Sequence, residues 1–198
     1  MNPKIPRLIA GDANVAIDLA QENEGVLDAL STIRGRLPDC SLLLPPTVSE
    51  ELAWLADHAE AAKERDAARK FLRHHRTWGF ELIRTLPPGN AYVAKIADCL
   101  LQAALLPSAE VNDAHILAES AALGCFILLT SDEHLRAIDF QRLGFELAEF
   151  DLTVPVIATP REIVRKFFRQ AQKRIRLMPF KNGRGNSYGK TAVAVMLK

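Results

Sequence analysis

Four acidic residues stand at the ends or starts of predicted elements, at well-separated points of the 198-residue chain. Carboxylates that converge repel one another and are costly to desolvate unless a cation lies between them. Oxygen ligands without histidine or cysteine companions suit Mg²⁺ or Mn²⁺. One or two such ions can activate a water and stabilise charge on a phosphodiester during hydrolysis. The candidate metal ligands are Asp12, Glu51, Asp113 and Asp132.

Three of these acids also have a structural interpretation. Asp12 and Asp132 can each cap a following helix, and Asp113 near a helix start gains from the helix dipole. Each of these structural interpretations is reasonable for its own residue taken alone. That all four acids fall where a parallel sheet would bring them together favours a site.

The fourth acid, Glu51, is distinguished from its neighbour by position. Thr47 and Glu50 have capping-box spacing, which assigns the Glu50 side chain to the backbone. Glu51 lies about 100° further round the helix and is the freer ligand.

Short apolar runs alternate with longer helical stretches, which predicts an α/β layered fold. The run from Cys125 to Thr130 is continuously apolar until its last residue, as in a parallel strand buried on both faces. Ligands of such sheets bind at the carboxyl ends of the strands. Strands are predicted at 7–11, 41–44, 80–83, 125–130 and 154–158. Helices are predicted at 27–37, 47–78, 92–106 and 112–123, and from Pro160 onward.

Composition is that of a soluble globular protein, with 48% hydrophobic and 25% charged residues. No apolar run approaches the roughly 20 residues that a membrane helix needs, and no signal peptide is recognisable. Cys40, Cys99 and Cys125 are far apart and odd in number, which is typical of reduced core residues rather than of a disulfide or zinc framework. We therefore expect a cytoplasmic protein without a membrane partner.

The formal charge of +1 is a sum of unlike parts. Residues 161–198 carry +10, whereas residues 1–160 carry −9. An acidic body with a basic extension indicates a polyanionic partner or a well-solvated surface.

Four stretches of the sequence resemble the PIN-domain family, the nuclease fold of VapC-type toxins and other RNA-processing enzymes. In the family's order the stretches are 8–20 (LIAGDANVAIDLA), 42–56 (LLLPPTVSEELAWLA), 112–124 (NDAHILAESAALG) and 126–135 (FILLTSDEHL). The Thr-x-Asp in the last of these stretches is the most specific element of the resemblance. The resemblance implies a three-layer α/β/α fold with a short, mostly parallel central sheet. It divides the chain into a PIN-like nuclease domain, 1–160, and a basic C-terminal helix and extension, 161–198.

The resemblance also implies a metal-dependent endoribonuclease. It assigns the four acids to Mg²⁺ or Mn²⁺ and adds two supporting polar residues, Asn14 and Thr130. A metal-activated water would hydrolyse RNA and leave a 5′-phosphate and a 3′-hydroxyl. A VapC-type member would pair with an antitoxin-like protein.

Two other functions remain open on the sequence alone. A haloacid-dehalogenase-like phosphatase needs a second aspartate two residues after its nucleophile, where this chain has Asn14. A non-catalytic PIN-like scaffold would bind RNA or protein through the basic extension.

Two basic segments are candidate RNA contacts. In the first, Asp66 is placed to pair with Arg69 and Lys70, so a solvated face is the alternative. In the second, the helix from Pro160 has an apolar stripe that would pack on the domain or on a second subunit in a homodimer. The candidate contacts are Arg69, Lys70, Arg73, Lys173, Arg174 and Arg176.

Overall fold

A five-stranded sheet lies at the centre of the computed structural model, which describes residues 6–84, 86 and 88–166. The strands are β1 (Arg7–Gly11), β2 (Cys40–Leu44), β3 (Phe80–Leu82), β4 (Ile127–Leu129) and β5 (Val156–Ala158). Their order is β3-β2-β1-β4-β5, and every pairing is parallel. All three residues of β4 are buried, because helices cover the sheet on both faces. The predicted α/β/α class is confirmed.

Helices connect the strands as parallel pairing requires. They are α1 (Ala13–Ala20), α2 (Glu24–Arg36), α3 (Pro46–His58), α4 (Ala62–His74), α5 (Asn90–Gln102), α6 (Val111–Ala122), α7 (Glu133–Arg136) and α8 (Phe140–Ala148). A further helix, α9, occupies residues 160–166. Thr159 and Glu162 cap α9 reciprocally, with Glu162 N to Thr159 Oγ1 at 3.1 Å and Thr159 N to Glu162 Oε2 at 2.9 Å, as predicted.

The single helix predicted at 47–78 is wrong, because α3 ends at His58 and α4 begins at Ala62. The backbone carbonyls of Ala59 and Glu60 accept hydrogen bonds from the Arg65 side chain in place of helical partners. This break turns α4 back so that it packs against α3 and α1. The helix predicted at 92–106 is also shorter, ending at Gln102, and α8 was not predicted.

The capping box predicted for Thr47 and Glu50 is wrong as well. Pro45 occupies the cap position and Pro46 the first turn, so Thr47 already lies inside the helix. The Glu50 side chain is therefore not assigned to this helix terminus.

None of the three cysteines forms a disulfide. Cys125 is a core residue, and burial raises its pKa to about 12. Cys40 and Cys99 are only half-buried. Within the described residues, no helix is long and apolar enough to cross a membrane.

Candidate metal centre

The carboxyl ends of β1 and β4 bring two predicted acids together at the point where the strand order changes direction. β1 pairs with β2 on one side and with β4 on the other. Asp12 follows β1, and its backbone N–H donates to Leu129 O at 3.0 Å. Asp132 lies in the loop directly after β4. Such a switch point is where open α/β sheets bind ligands.

Three hydrogen bonds fix the Asp12 carboxylate, which is 4% exposed. Its Oδ2 accepts from Thr130 Oγ1 at 2.6 Å and from Asn14 Nδ2 at 2.8 Å, while Oδ1 accepts from Ala13 N at 2.6 Å. Burial raises the pKa of Asp12, and these hydrogen bonds oppose the rise. Asp12 is thus both the cap of α1 and a carboxylate held in one orientation.

The loop after β4 is tied to the same network. Thr130 Oγ1 accepts from Asp132 N at 2.9 Å, and Asn14 Oδ1 accepts from Ser131 N at 3.1 Å. Asn14 and Thr130, the two predicted supporting residues, therefore touch both Asp12 and the segment that carries Asp132.

Asp132 also caps a helix. Its Oδ1 accepts from His134 N at 2.7 Å and from Leu135 N at 3.1 Å, at the start of α7. The structural interpretations of Asp12 and Asp132 as helix caps are both correct. A cap uses one oxygen of the Asp132 carboxylate, so it does not by itself exclude a second role for the side chain.

The other two predicted acids, Glu51 on α3 and Asp113 on α6, are coupled to Asp12 and Asp132 through their charges. Burial and then the negative charges of Asp12 and Asp132 raise the pKa of Glu51 to about 7. Burial and then the same two aspartates raise the pKa of Asp113 to about 7, with smaller contributions from Glu110 and Glu51. Four acids from separate elements therefore share one electrostatic environment.

Asp113 offers the clearest place for a cation. Its Oδ2 is buried and accepts no hydrogen bond from the described residues. Nor does any described lysine, arginine or histidine form a salt bridge with the four acids. A buried carboxylate without compensation is costly, and hard divalent cations bind such oxygens. The donor set thus fits Mg²⁺ or Mn²⁺.

The four acids nevertheless do not form one tight group of ligand atoms among the described residues. Among the described residues, no three of them place ligand atoms within 4.8 Å of one another. In the part of the chain that the structure describes, the one group of three potential ligands with atoms this close is Cys99, Glu146 and Glu149, between α5 and α8. Its carboxylates help to raise the pKa of Cys99, after burial, and Lys95 lowers it. Acidic surface groups of this kind are common without an ion, and this group is separate from the predicted one.

The architecture is similar to that of a solved complex. A chain in the crystal structure of VapBC2 from Rickettsia felis, bound to a DNA fragment from their promoter, matches with a TM-score of 0.52. The match covers 77% of this chain and 98% of that chain, at 13% sequence identity. The fold is PIN-like. At this identity the similarity shows the fold alone, and no protein-family model or curated protein matches the chain.

One buried acid of the PIN-like fold was not predicted from the sequence. Glu119 on α6 is 4% exposed and accepts from Thr47 Oγ1 at 2.8 Å and from Thr47 N at 3.1 Å. Burial raises the pKa of Glu119, and the bonds from Thr47 oppose the rise. The only sequence signal was a lone glutamate within the apolar, alanine-rich stretch ILAESAAL.

The predicted RNA contacts on α4 have local partners. Arg69 lies 3.7 Å from Asp57 and 3.9 Å from Asp66, as the solvated-face alternative expected. Lys70 pairs with Glu22 at 2.8 Å, and Arg73 is exposed. Lys173, Arg174 and Arg176 lie outside the described residues.

Proposed function

We propose that this chain is a metal-dependent endoribonuclease of the PIN-domain type. The observation that carries the proposal is that Asp12 and Asp132 lie at the switch point of the sheet, linked through Thr130, and that the charges of Glu51 and Asp113 are coupled to theirs. Burial and then the charges of Asp12 and Asp132 raise the pKa values of Glu51 and Asp113, and no described lysine, arginine or histidine forms a salt bridge with the four acids. The PIN-like fold supports the assignment to this family.

Asp12, Glu51, Asp113 and Asp132 would hold Mg²⁺ or Mn²⁺. Mg²⁺ usually keeps several waters and binds through one or two carboxylates, so one ion does not need all four acids as direct ligands. When bound, the ion supplies an activated water and stabilises charge on the phosphoryl group.

The chain's own residues orient the ligands. Thr130 and Asn14 hold Oδ2 of Asp12, which removes the rotational freedom that ion binding would otherwise have to restrict. Asp113 contributes a buried oxygen without a competing hydrogen bond from the described residues.

Cleavage of labelled single-stranded RNA by the full-length protein, with Mn²⁺ or Mg²⁺, tests this function. Losing a group that merely orients a ligand typically costs about 10–100-fold, so Asp12→Asn and Asp132→Asn should each lower activity by at least about 100-fold. Asp98→Asn, an exposed aspartate on α5, is the matched control and should keep full activity. Circular dichroism verifies that each variant is folded.

Cleavage that survives both substitutions and EDTA would contradict the metal site. Among the described residues, no three of the acids place ligand atoms within 4.8 Å of one another, and this favours one second candidate, a non-catalytic PIN-like scaffold. That candidate predicts RNA binding without cleavage under any divalent metal.

We extend the proposal to an antitoxin-like protein partner, because the structurally similar chain comes from a VapBC complex. Large apolar side chains are available for a protein contact or a homodimer, with Trp54 58%, Phe140 57% and Phe145 76% exposed.

A further inference from the structure

An arginine-lined cleft opens beside the acidic edge of the sheet. It has a volume of about 650 Å³, and its walls come from the loop after β4, α7, the start of α9, and the end of α1 with the start of α2. Ser131 lines the cleft and is also the residue between Thr130 and Asp132. The cleft therefore begins next to a candidate metal ligand.

The charges in the cleft do not cancel. Three arginines face two acids, Asp18 and Glu162. Glu162 is already engaged, because its Oε2 accepts from Thr159 and its Oε1 lies 3.8 Å from Arg136 Nη2. Hydrogen bonds from Thr159 and then the charges of Arg136 and Arg165 lower the pKa of Glu162, so this carboxylate balances only part of the positive charge, and the three arginines still exceed the two acids.

Arg161 and Arg165 are placed to act together. They are four residues apart, on one face of α9, and both are exposed. Neither forms a salt bridge within the part of the chain that the structure describes. Two guanidinium groups without a salt bridge in a concave wall suit phosphate oxygens, which guanidinium binds with two parallel hydrogen bonds.

The rest of the lining favours a nucleic-acid backbone over a protein segment. The apolar residues that line the cleft are Val26 and Pro160, and the described lining contains no aromatic side chain. Protein partners anchor on buried aromatic and aliphatic side chains in apolar pockets, and bases stack on aromatic rings. A polar, cationic cleft offers neither surface and fits phosphates instead.

We propose that Arg161 and Arg165 bind backbone phosphates of the RNA strand next to the scissile phosphodiester. This inference rests on the proposed function. It adds a substrate track, the path that the RNA strand follows, on the β5 side of the four acids. The strand would pass from the cleft over Ser131 to the acidic edge, so the cationic cleft would offset the repulsion that the carboxylates exert on RNA.

The salt dependence of RNA binding tests the cleft without cleavage. Binding of a fluorescein-labelled single-stranded RNA to the full chain is measured by fluorescence anisotropy in EDTA, at salt concentrations from about 50 to about 200 mM. Each phosphate contact on a single strand contributes about 0.7 to the slope of log Kobs against log salt. Two lost contacts in Arg161→Gln/Arg165→Gln should therefore lower the slope by about 1.4. The control Arg36→Gln/Arg84→Gln, at two exposed arginines elsewhere, should leave the slope unchanged.

The outcomes separate this inference from the proposed function. If the unaltered protein cleaves RNA but both double variants have the same slope and affinity, the cleft is not the substrate track. If the Arg161→Gln/Arg165→Gln variant keeps RNA binding but loses a co-purifying acidic protein, a protein segment occupies the cleft and the inference is overturned. If the unaltered protein binds no RNA in EDTA but cleaves RNA with Mn²⁺ or Mg²⁺, the inference is overturned and the proposed function stands.

Discussion

Thr130 connects two predicted metal ligands through one hydroxyl group. The residue is fully buried, and its Oγ1 donates to Asp12 Oδ2 at 2.6 Å while accepting from Asp132 N at 2.9 Å. No other side-chain type supplies a donor and an acceptor with the volume of valine. The position of this hydroxyl therefore fixes the relative placement of the two strand-end acids.

Thr130→Val should remove these two hydrogen bonds and the one that Oγ1 accepts from Asn14 Nδ2 at 3.3 Å, while keeping the shape of the side chain. We expect the free energy of unfolding to fall by about 1–3 kcal/mol, because Asp132 N and part of the Asp12 carboxylate lose their partner. Urea unfolding measures the effect. Thr153→Val, at an exposed threonine, is the control, and equal stability of the two variants would contradict the role of the hydroxyl.

At the residue scale, the sequence identified the polar residues at the strand ends but not the hydrogen bonds between them. Asn14 and Thr130 were predicted through the family resemblance, and the structure supplies their partners. Glu119 was missed because a glutamate in a helical stretch is usually solvated, and only its packing against Thr47 reveals it as buried.

Glu119 joins the two helices that carry Glu51 and Asp113. Its carboxylate accepts from Thr47 in the first turn of α3, whereas Asp113 lies in the first turn of α6. The contact ties the start of α3 to α6 and so restricts how the two helices move relative to each other. The spacing of Glu51 from Asp113 thus depends on a residue that is not itself a candidate ligand.

Glu119→Ala should weaken this contact between α3 and α6. Hydrogen bonds to a charged group contribute about 1.5–3 kcal/mol, so we expect a loss of that order in the free energy of unfolding, measured by urea denaturation. Mn²⁺ affinity, measured by titration calorimetry, should fall as well, although the candidate ligands are intact. Glu60→Ala, at an exposed glutamate, is the control. Unchanged metal affinity in Glu119→Ala would show that the contact between Glu119 and Thr47 does not position the candidate ligands.

At the element scale, the strands were predictable and the helix boundaries less so. Each of the first two strands ends at a residue that stops it, Asp12 after β1 and Pro45 after β2, and the structure agrees within about a residue. The break after α3 falls in Ala59-Glu60-Ala61, where no residue type disfavours a helix. Packing of α4 against α1 and α3 decides that boundary, and local sequence carries no signal for it.

The raised pKa values of Glu51 and Asp113 should make the stability of the whole molecule depend on pH. The pKa values of Glu51 and Asp113 are about 7 in the fold, against ordinary values of 4.5 and 3.8. Between these limits the folded chain binds more protons than the unfolded chain. Its stability therefore falls as pH rises through this window.

Without metal, we expect a higher Tm at about pH 5.5 than at about pH 8, measured by calorimetry in EDTA. The Glu51→Gln/Asp113→Asn variant should lose most of this difference, whereas the matched control Glu60→Gln/Asp98→Asn should retain it. Mn²⁺ at about 100 times its Kd should restore about 2.7 kcal/mol at about pH 8. A Tm difference that the first variant leaves intact would contradict the shared electrostatic environment of the acids.

The sequence alone determined the α/β class, the strands and the acidic residues at their ends, because local apolar patterns fix periodicity and burial. Only the tertiary structure decided how far apart the acids lie, that Glu119 joins α3 to α6, and that Arg136 of α7 and Arg165 of α9 line one cleft with Ser131. These are distances between side chains of different elements. They depend on how the helices pack against the sheet, which no local pattern specifies.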